Sequence, residues 1–240
     1  MNHLIFTFLE CKCNFQIKKN WDNCPFTDML RTNLPLLNFI EEYSQQHSGV
    51  ETRTYTAGQT FIQQGSEITT VQFLVSGITK CYILEENGKD YIFEFLGKGE
   101  VVGDIEAIRQ EKCLCNITAI TEVQTLVIHR SLFNSLLQNY PAFNAMIMQE
   151  LATRISQTCT RSAYQQLYPV EYALLRVLTL ENEQQIFLSK KDLAAYLGIT
   201  LRSFNRTVKQ LRQEKILDAE ELQLGISRQA LLKILNQFDE

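Results

Sequence analysis

Residues 188–217 read LSKKDLAAYLGITLRSFNRTVKQLRQEKIL and concentrate the side chains best suited to chemistry. Arg202, Asn205, Arg206 and Lys209 recur at three- and four-residue spacing, so they share one side of a helix. Guanidinium groups read guanine edges, carboxamides pair with adenine, and ammonium groups neutralise phosphate. Phe204, Val208 and Leu211 form the apolar stripe that turns this helix inward. Thr200 precedes it as an N-cap, with Ser203 at the third position. Upstream, Ser189 caps a shorter helix in which Asp192 sits at the capping-box position and Leu193, Ala194 and Leu197 are apolar. Gly198 supplies the left-handed turn between the two. A short helix, a tight turn and a basic second helix make a helix-turn-helix, whose second helix enters the DNA major groove. The predicted contacts with double-stranded DNA are Ser189, Lys191, Thr200, Arg202, Ser203, Asn205, Arg206 and Lys209. Arg202 and Arg206 are the base readers, and Asn205 either pairs with adenine or touches phosphate. Thr200, Ser203, Lys209 and Lys191 anchor the backbone.

Charge agrees with this reading. Residues 189–215 hold seven positive and two negative side chains, a net +5 in a chain of −4, which leaves −9 elsewhere. A basic island on an acidic molecule attracts phosphate locally while the remaining surface repels it.

The elements that must position this helix follow from the rest of the chain. Its 240 residues suffice for two domains with separate cores, and its 45% apolar and 21% charged residues are ordinary for a globular protein. No apolar run approaches the ~20 residues of a membrane helix, and MNHLIFTFLE lacks the basic lead and cleavage site of a signal peptide. A cytoplasmic protein with no membrane partner is expected. Seven cysteines without framework spacing read as free thiols. With only His3, His47 and His129, no paired-histidine motif and no Gly-x-Ser-x-Gly, nothing forms a catalytic constellation, so no enzyme is expected.

Residues 1–28 show no period and form an N-terminal extension, read as a disordered leader, with Met29 as an alternative start. Residues 34–47 predict an amphipathic helix. From 52 to 129 glycines punctuate short alternating segments, predicting strands at 51–55, 60–62, 71–76, 78–85, 89–96 and 116–129. Asn87-Gly88 predicts a two-residue hairpin turn. Such a series folds as an antiparallel jelly roll or barrel. A short helix is expected at 130–138. Pro141 then opens a long helix to about residue 168, with Phe143, Ile147, Leu151 and Ile155 four apart along one stripe. That stripe serves a parallel dimer seam, packing on the barrel, or both. Pro169 marks the hinge. A helix at 170–180, the helix-turn-helix, a two-stranded wing at 216–224 and a helix at 228–237 complete a winged helix domain. The expected class is α+β: a sensor domain at 29–140, a dimerisation helix at 141–168 and a winged helix-turn-helix domain at 169–240.

This order of elements resembles the Crp/Fnr family of bacterial transcription regulators. YTAGQTFIQQGSE, FLVSGITKCYILEENGKD and FLGKGEVVGDIEAI stand where that family carries its three glycine-punctuated barrel segments. The resemblance implies a homodimer on a near-palindromic operator and activation through contact with RNA polymerase, with repression as an alternative. It also implies an effector pocket at Gly103, Asp104, Ile105, Glu106, Arg109 and Cys115. The Arg-Ser pair that neutralises the cyclic phosphate in cyclic-AMP-binding members is absent, because Cys113-Leu114-Cys115-Asn116 occupies its place. Burying a phosphate without a guanidinium is costly, so the expected effector is not cyclic AMP, although Arg109 and Lys112 lie nearby. Asp104 and Glu106 otherwise read as turn-forming surface carboxylates. Well-known members place Glu at the position of Arg202, so the operator is expected to differ from the common family site.

One branch of the family ligates an iron–sulfur cluster through N-terminal cysteines and one barrel cysteine. Cys11, Cys13 and Cys24 do not match its spacing, and its barrel cysteine falls near Thr125 or Leu126. Cys113 or Cys115 substituting for it, or a disulfide switch between the extension and this loop, remain open. Cys81 and Cys159 read as core or seam fillers. A redox or iron–sulfur sensing regulator, and a small-molecule sensor with weak DNA binding, are the alternatives to the leading expectation.

Overall fold

The structure is a computed structural model describing residues 29–184 and 188–238. The predicted extension, with Cys11, Cys13 and Cys24, lies outside the described residues. Strand β1 (Leu30–Arg31) leads into helix α1 (Leu34–Gln46), capped by Asn33 accepting from the Leu36 amide at 3.1 Å. Seven strands follow, with one helix among them: β2 (Val50–Tyr55), β3 (Thr60–Ile62), β4 (Thr70–Ser76), β5 (Thr79–Leu84), β6 (Asp90–Leu96), β7 (Val101–Val102), α2 (Asp104–Arg109) and β8 (Asn116–Ala119). Strand β9 (Val123–His129) and helix α3 (Arg130–Asn139) end the sensor region.

The strands form two sheets, ordered β1-β6-β5-β8-β3 and β2-β9-β4-β7. All pairs are antiparallel except β1 with β6. This is the expected jelly roll, left as two sheets rather than one closed cylinder. The single strand expected at 116–129 divides into β8 and β9, which belong to different sheets. The chain bends at 120–122 to change sheets, a step that an alternating apolar pattern does not reveal.

The 86–88 turn also differs from expectation. Among its residues only Gly88 takes a positive φ, at 76°, and its amide donates to the Glu85 carbonyl at 2.9 Å. The Glu85 amide donates to Lys89 at 2.9 Å, closing a three-residue loop of a type I turn followed by a left-handed glycine. The unanticipated α2 starts at Gly103, whose φ is 83° and whose Cβ, if present, would collide with Ile68.

Helix α4 (Pro141–Leu167) carries two stripes instead of one. Phe143 and Ile147 are buried in the sensor core, Leu151 is half-buried and Ile155 is 65% exposed. Steps of four residues advance about 400° along a helix of 3.6 residues per turn, so such a row drifts about 40° per step and leaves the core. The buried row instead follows Phe143, Ile147, Glu150, Arg154, Arg161 and Tyr164.

Helices α5 (Val170–Gln184), α6 (Lys190–Tyr196), α7 (Leu201–Gln213) and α8 (Arg228–Gln237) make the C-terminal unit. The expected two-stranded wing reduces to one antiparallel bridge, Leu217 to Leu224, with Asp218 donating to Gln223 at 2.9 Å. The core of this unit, including Leu174, Leu178, Leu193, Phe204, Val208 and Leu231, continues onto Ile92 and Phe95 of β6. Two further clusters fill the sensor region.

Candidate nucleic-acid interface and sensor pocket

The cap of α7 forms as its sequence requires. Thr200 Oγ1 accepts from the Ser203 amide at 3.1 Å, and Gly198 in the preceding turn has φ 69°. Phe204, Val208 and Leu211 are buried, which fixes the rotation of the helix. Arg202, Asn205, Arg206 and Lys209 are therefore exposed together, and Ser203 is half-buried beside them. Arg212 leaves this face. Its Nε and Nη2 donate to the carbonyls of Asp218, Glu220 and Glu221 at 2.9, 2.8 and 3.1 Å, so it clamps the wing turn. The Glu220 and Glu221 amides in turn donate to the Asp218 carboxylate, holding it below the usual range.

Helix α6 faces the sensor sheet. Ser189 accepts from the Asp192 amide at 3.0 Å and donates to its carboxylate at 2.7 Å. The same carboxylate meets Lys80 of β5 at 2.5 Å, so the capping box closes on a residue from the other unit. Lys191 lies 3.6 Å from Asp90. Tyr196 packs against Phe95 with ring centroids 5.3 Å apart, and Arg161 of α4 sits 4.5 Å from the Tyr196 ring. Gln165 bridges Tyr91 and the Tyr196 carbonyl. Ser189 and Lys191 thus stand at the junction of the two units, while the other six predicted contacts cluster on α7.

Four of the predicted effector residues and the loop thiol come together. Gly103, Asp104, Ile105, Glu106 and Cys115 line a cavity of about 160 Å³ with Cys81, Glu94 and Arg154. Arg109 faces a second, apolar cavity of about 490 Å³, formed with Ile105, Ile108, Leu151, Ile155 and Cys159. Asp104 is buried rather than a surface turn residue. Its two oxygens accept from Arg154 Nη1 at 3.2 and 3.1 Å. Arg154 Nε donates to Glu150 at 3.1 Å, and Nη2 reaches the Val101 carbonyl at 2.7 Å and Glu100 at 3.5 Å. All three guanidinium nitrogens are thereby engaged. Arg31 extends the network to Glu100 at 2.8 Å, to Glu94 at 3.1 Å and to Glu150. Burial works against the charge of Arg154, but Asp104, Glu94 and Glu100 outweigh it and hold the group well above its ordinary pKa. Burial raises Glu100 despite both arginines.

Arg109 is exposed and pairs with Glu111 at 2.7 and 2.8 Å, and Lys112 is exposed. Cys113 is buried, its Sγ accepting from Ser66 at 3.6 Å, outside the cavity lining. Hydrogen bonding with Cys115, then burial, push the Cys81 thiol well up. No group of three or more His, Cys, Asp or Glu side chains able to hold a metal forms among the described residues.

Residues 52–140 match the cyclic nucleotide-binding domain family, and residues 172–234 match the Crp-like helix-turn-helix domain. This chain belongs to the Crp/Fnr family of DNA-binding transcription regulators. Over 176 residues it is 20% identical to the cAMP-activated global transcriptional regulator CRP of Salmonella typhimurium, covering 69% of this chain and 84% of that one. The c-di-GMP responsive global regulator CLP of Xanthomonas campestris has the same fold, with a TM-score of 0.69 at 18% identity over 78% of this chain and 97% of that one. A 105-residue stretch is 28% identical to lysophospholipase nte1 of Aspergillus terreus, covering 44% of this chain but 7% of that much longer protein. The Crp/Fnr family is one of regulators rather than enzymes. No described helix of this Crp/Fnr chain is long and apolar enough to cross a membrane.

In this Crp/Fnr regulator the polar groups that sequence reasoning missed are Arg31, Glu94, Glu100, Glu150 and Arg154. A signal was present in α4. Glu150 and Arg154 are four apart and continue the row of Phe143 and Ile147, so charged side chains occupy core-facing positions. Arg31, Glu94 and Glu100 carry no such local mark.

Proposed function

We propose that this protein is a homodimeric, operator-binding regulator whose sensor pocket takes an effector other than cyclic AMP. The exposed cationic face of α7, held outward by buried Phe204, Val208 and Leu211, carries the reading. Arg202 and Arg206 read bases, Asn205 pairs with adenine or phosphate, and Thr200, Ser203, Lys209 and Lys191 hold the backbone. Arg202→Ala and Arg206→Ala are each expected to relax specificity at one base pair by about 1–3 kcal/mol, whereas Lys209→Ala weakens all duplexes alike. Footprinting on fragments of its own genome, then titrating operator variants, measures this. Unchanged affinity in both arginine variants would favour a sensor with weak DNA binding instead.

Dimerisation is supported by α4. Ala145, Met148, Ala152, Ile155 and Cys159 alternate at steps of three and four and are all exposed, with Met148 at 62% and Ile155 at 65%. That is the spacing of a coiled-coil seam, and a parallel pairing places two copies of α7 on successive major grooves. The domains follow as 29–140 for the sensor, 141–168 for the seam helix and 169–240 for DNA binding. Family membership supports a cytoplasmic activator that contacts RNA polymerase, which transcription in vitro tests.

Against cyclic AMP stands the state of the arginines. Every guanidinium nitrogen of Arg154 is already bonded, and Arg109 is neutralised by Glu111 outside the smaller cavity. A phosphate placed there meets Asp104, Glu94 and Glu106 without a partner. Cyclic AMP is expected to leave operator affinity unchanged in a fluorescence-anisotropy titration. A shift of tenfold or more, about 1.4 kcal/mol, would reinstate it.

A further inference from the structure

We infer that Cys81 and Cys115 form a dithiol clamp in the sensor pocket for a soft, thiophilic acceptor bonded by two sulfurs. The inference rests on the reading of this cavity as the effector site and gives that effector a chemical class. Cys81 of β5 lies opposite Ile117 of β8, and Cys115 precedes Ile117 by two residues. Both thiols line the 160 Å³ cavity, Cys81 from β5 and Cys115 from the bend that leads into β8. Ile62, Leu96, Val102 and Ile117 supply the apolar part of the wall.

A disulfide between the two sulfurs needs an oxidant, whereas an acceptor bonded to both of them does not. With no third ligand grouped there among the described residues, a four-coordinate zinc or iron–sulfur set is not supplied. Two thiolates suit a soft centre satisfied by two sulfurs, such as trivalent arsenic or a monovalent soft cation. With phenylarsine oxide the step balances without an oxidant. Two S–As bonds form, the As–O bond breaks, both thiol protons leave on that oxygen as water, and arsenic stays trivalent. A silver(I) ion forms two S–Ag bonds and releases two protons to solvent.

The clamp is wired to the DNA-binding unit through β5. Lys80, on the alternate face of that strand, holds Asp192 of α6, while Asp104 on the cavity wall holds Arg154 of the seam helix. Closing the two sulfurs on one centre pulls on the strand that carries Lys80.

The full chain with Cys11, Cys13 and Cys24 changed to Ser is treated separately with phenylarsine oxide and with silver(I), then weighed by intact-mass spectrometry. One adduct per chain is expected, lost in C81S and in C115S and retained in C113S and C159S. Which reagent binds distinguishes a metalloid from a metal-ion effector. Proteolysis of the adduct should yield the peptides of Cys81 and Cys115 bridged by arsenic, a readout that needs no cysteine variant at the site. No adduct with either reagent, or an adduct that survives C81S, overturns the clamp. A change of about tenfold in operator affinity on loading supports the effector reading. Loading without such a change retains the clamp and overturns the effector reading.

Discussion

Ile155→Asp is expected to convert the protein to monomers and to abolish tight operator binding. The single chain leaves Ile155 65% exposed, so the substitution removes nothing from its own core. In a parallel seam the two copies of Ile155 face each other with Met148 one heptad away. Losing two buried isoleucines removes about 3–6 kcal/mol of association, two to four decades in the dimer dissociation constant. The two facing carboxylates add like-charge repulsion. Sedimentation equilibrium measures the association, and circular dichroism checks that the monomer keeps its helices. A wild-type chain that sediments as a monomer at every concentration, or a variant that still dimerises with wild-type affinity, would remove the seam from α4. Operator binding should fall with the dimer, because one recognition helix then grips one half-site.

The second large effect concerns stability. Arg154→Ala is expected to lower the unfolding free energy by about 3–5 kcal/mol, because it strands buried Asp104 without its cation and leaves Glu100 and Glu150 to Arg31 alone. Asp104, Glu100 and Glu150 each lose a contact, and all three are buried. The deficit should depend on pH with a definite sign. Burial already raises Glu100 in the intact protein, and loss of Arg154 raises its folded value further while the unfolded value stays put. A carboxyl with a raised folded pKa stabilises the fold when protonated, below its unfolded value, and loses that contribution as pH climbs through the folded value. The variant is thus least impaired in mild acid and most impaired in mild alkali. Urea unfolding across that interval measures both terms. A deficit under 1 kcal/mol at neutral pH, or one that grows on acidification, would contradict the network as the anchor of α4.

These two substitutions act on adjacent faces of one helix, about 100° apart, and the sequence reveals the faces unequally. Pro141, the apolar content and the length announce α4 without ambiguity. A row counted in fours, from Phe143 to Ile155, merges the two faces, because four residues overshoot one turn. Counting in threes and fours separates Ala145, Met148, Ala152, Ile155 and Cys159 from the buried row. The helix-turn-helix was more legible, since its caps, its glycine turn and its stripe are all local. Ser189, Gly198 and Thr200 each do what their types dictate. Arg212 escaped that logic, because the carbonyls it binds belong to a turn six to nine residues away.

The pocket depended most on distant pairing. Asp104, Ile105, Glu106 and Cys115 could be placed near one another from the family's glycine pattern. What their surroundings do to an anion could not, because Arg154 arrives from 50 residues downstream and Glu94 from a neighbouring strand. Cys81 resembled a core filler, but in the fold it lines the same cavity as Cys115.

Order, class and the DNA-reading helix are therefore written in the sequence itself, because caps, turns and amphipathic stripes are governed by neighbours within a few residues. The chain alone states that α7 presents arginines outward and that strands precede helices. Tertiary structure alone decided that α6 closes its cap on Lys80, that the one guanidinium at the pocket is already spent on carboxylates, and that two thiols meet there. Those outcomes turn on sheet register and helix rotation, which long-range packing settles and no local spacing encodes.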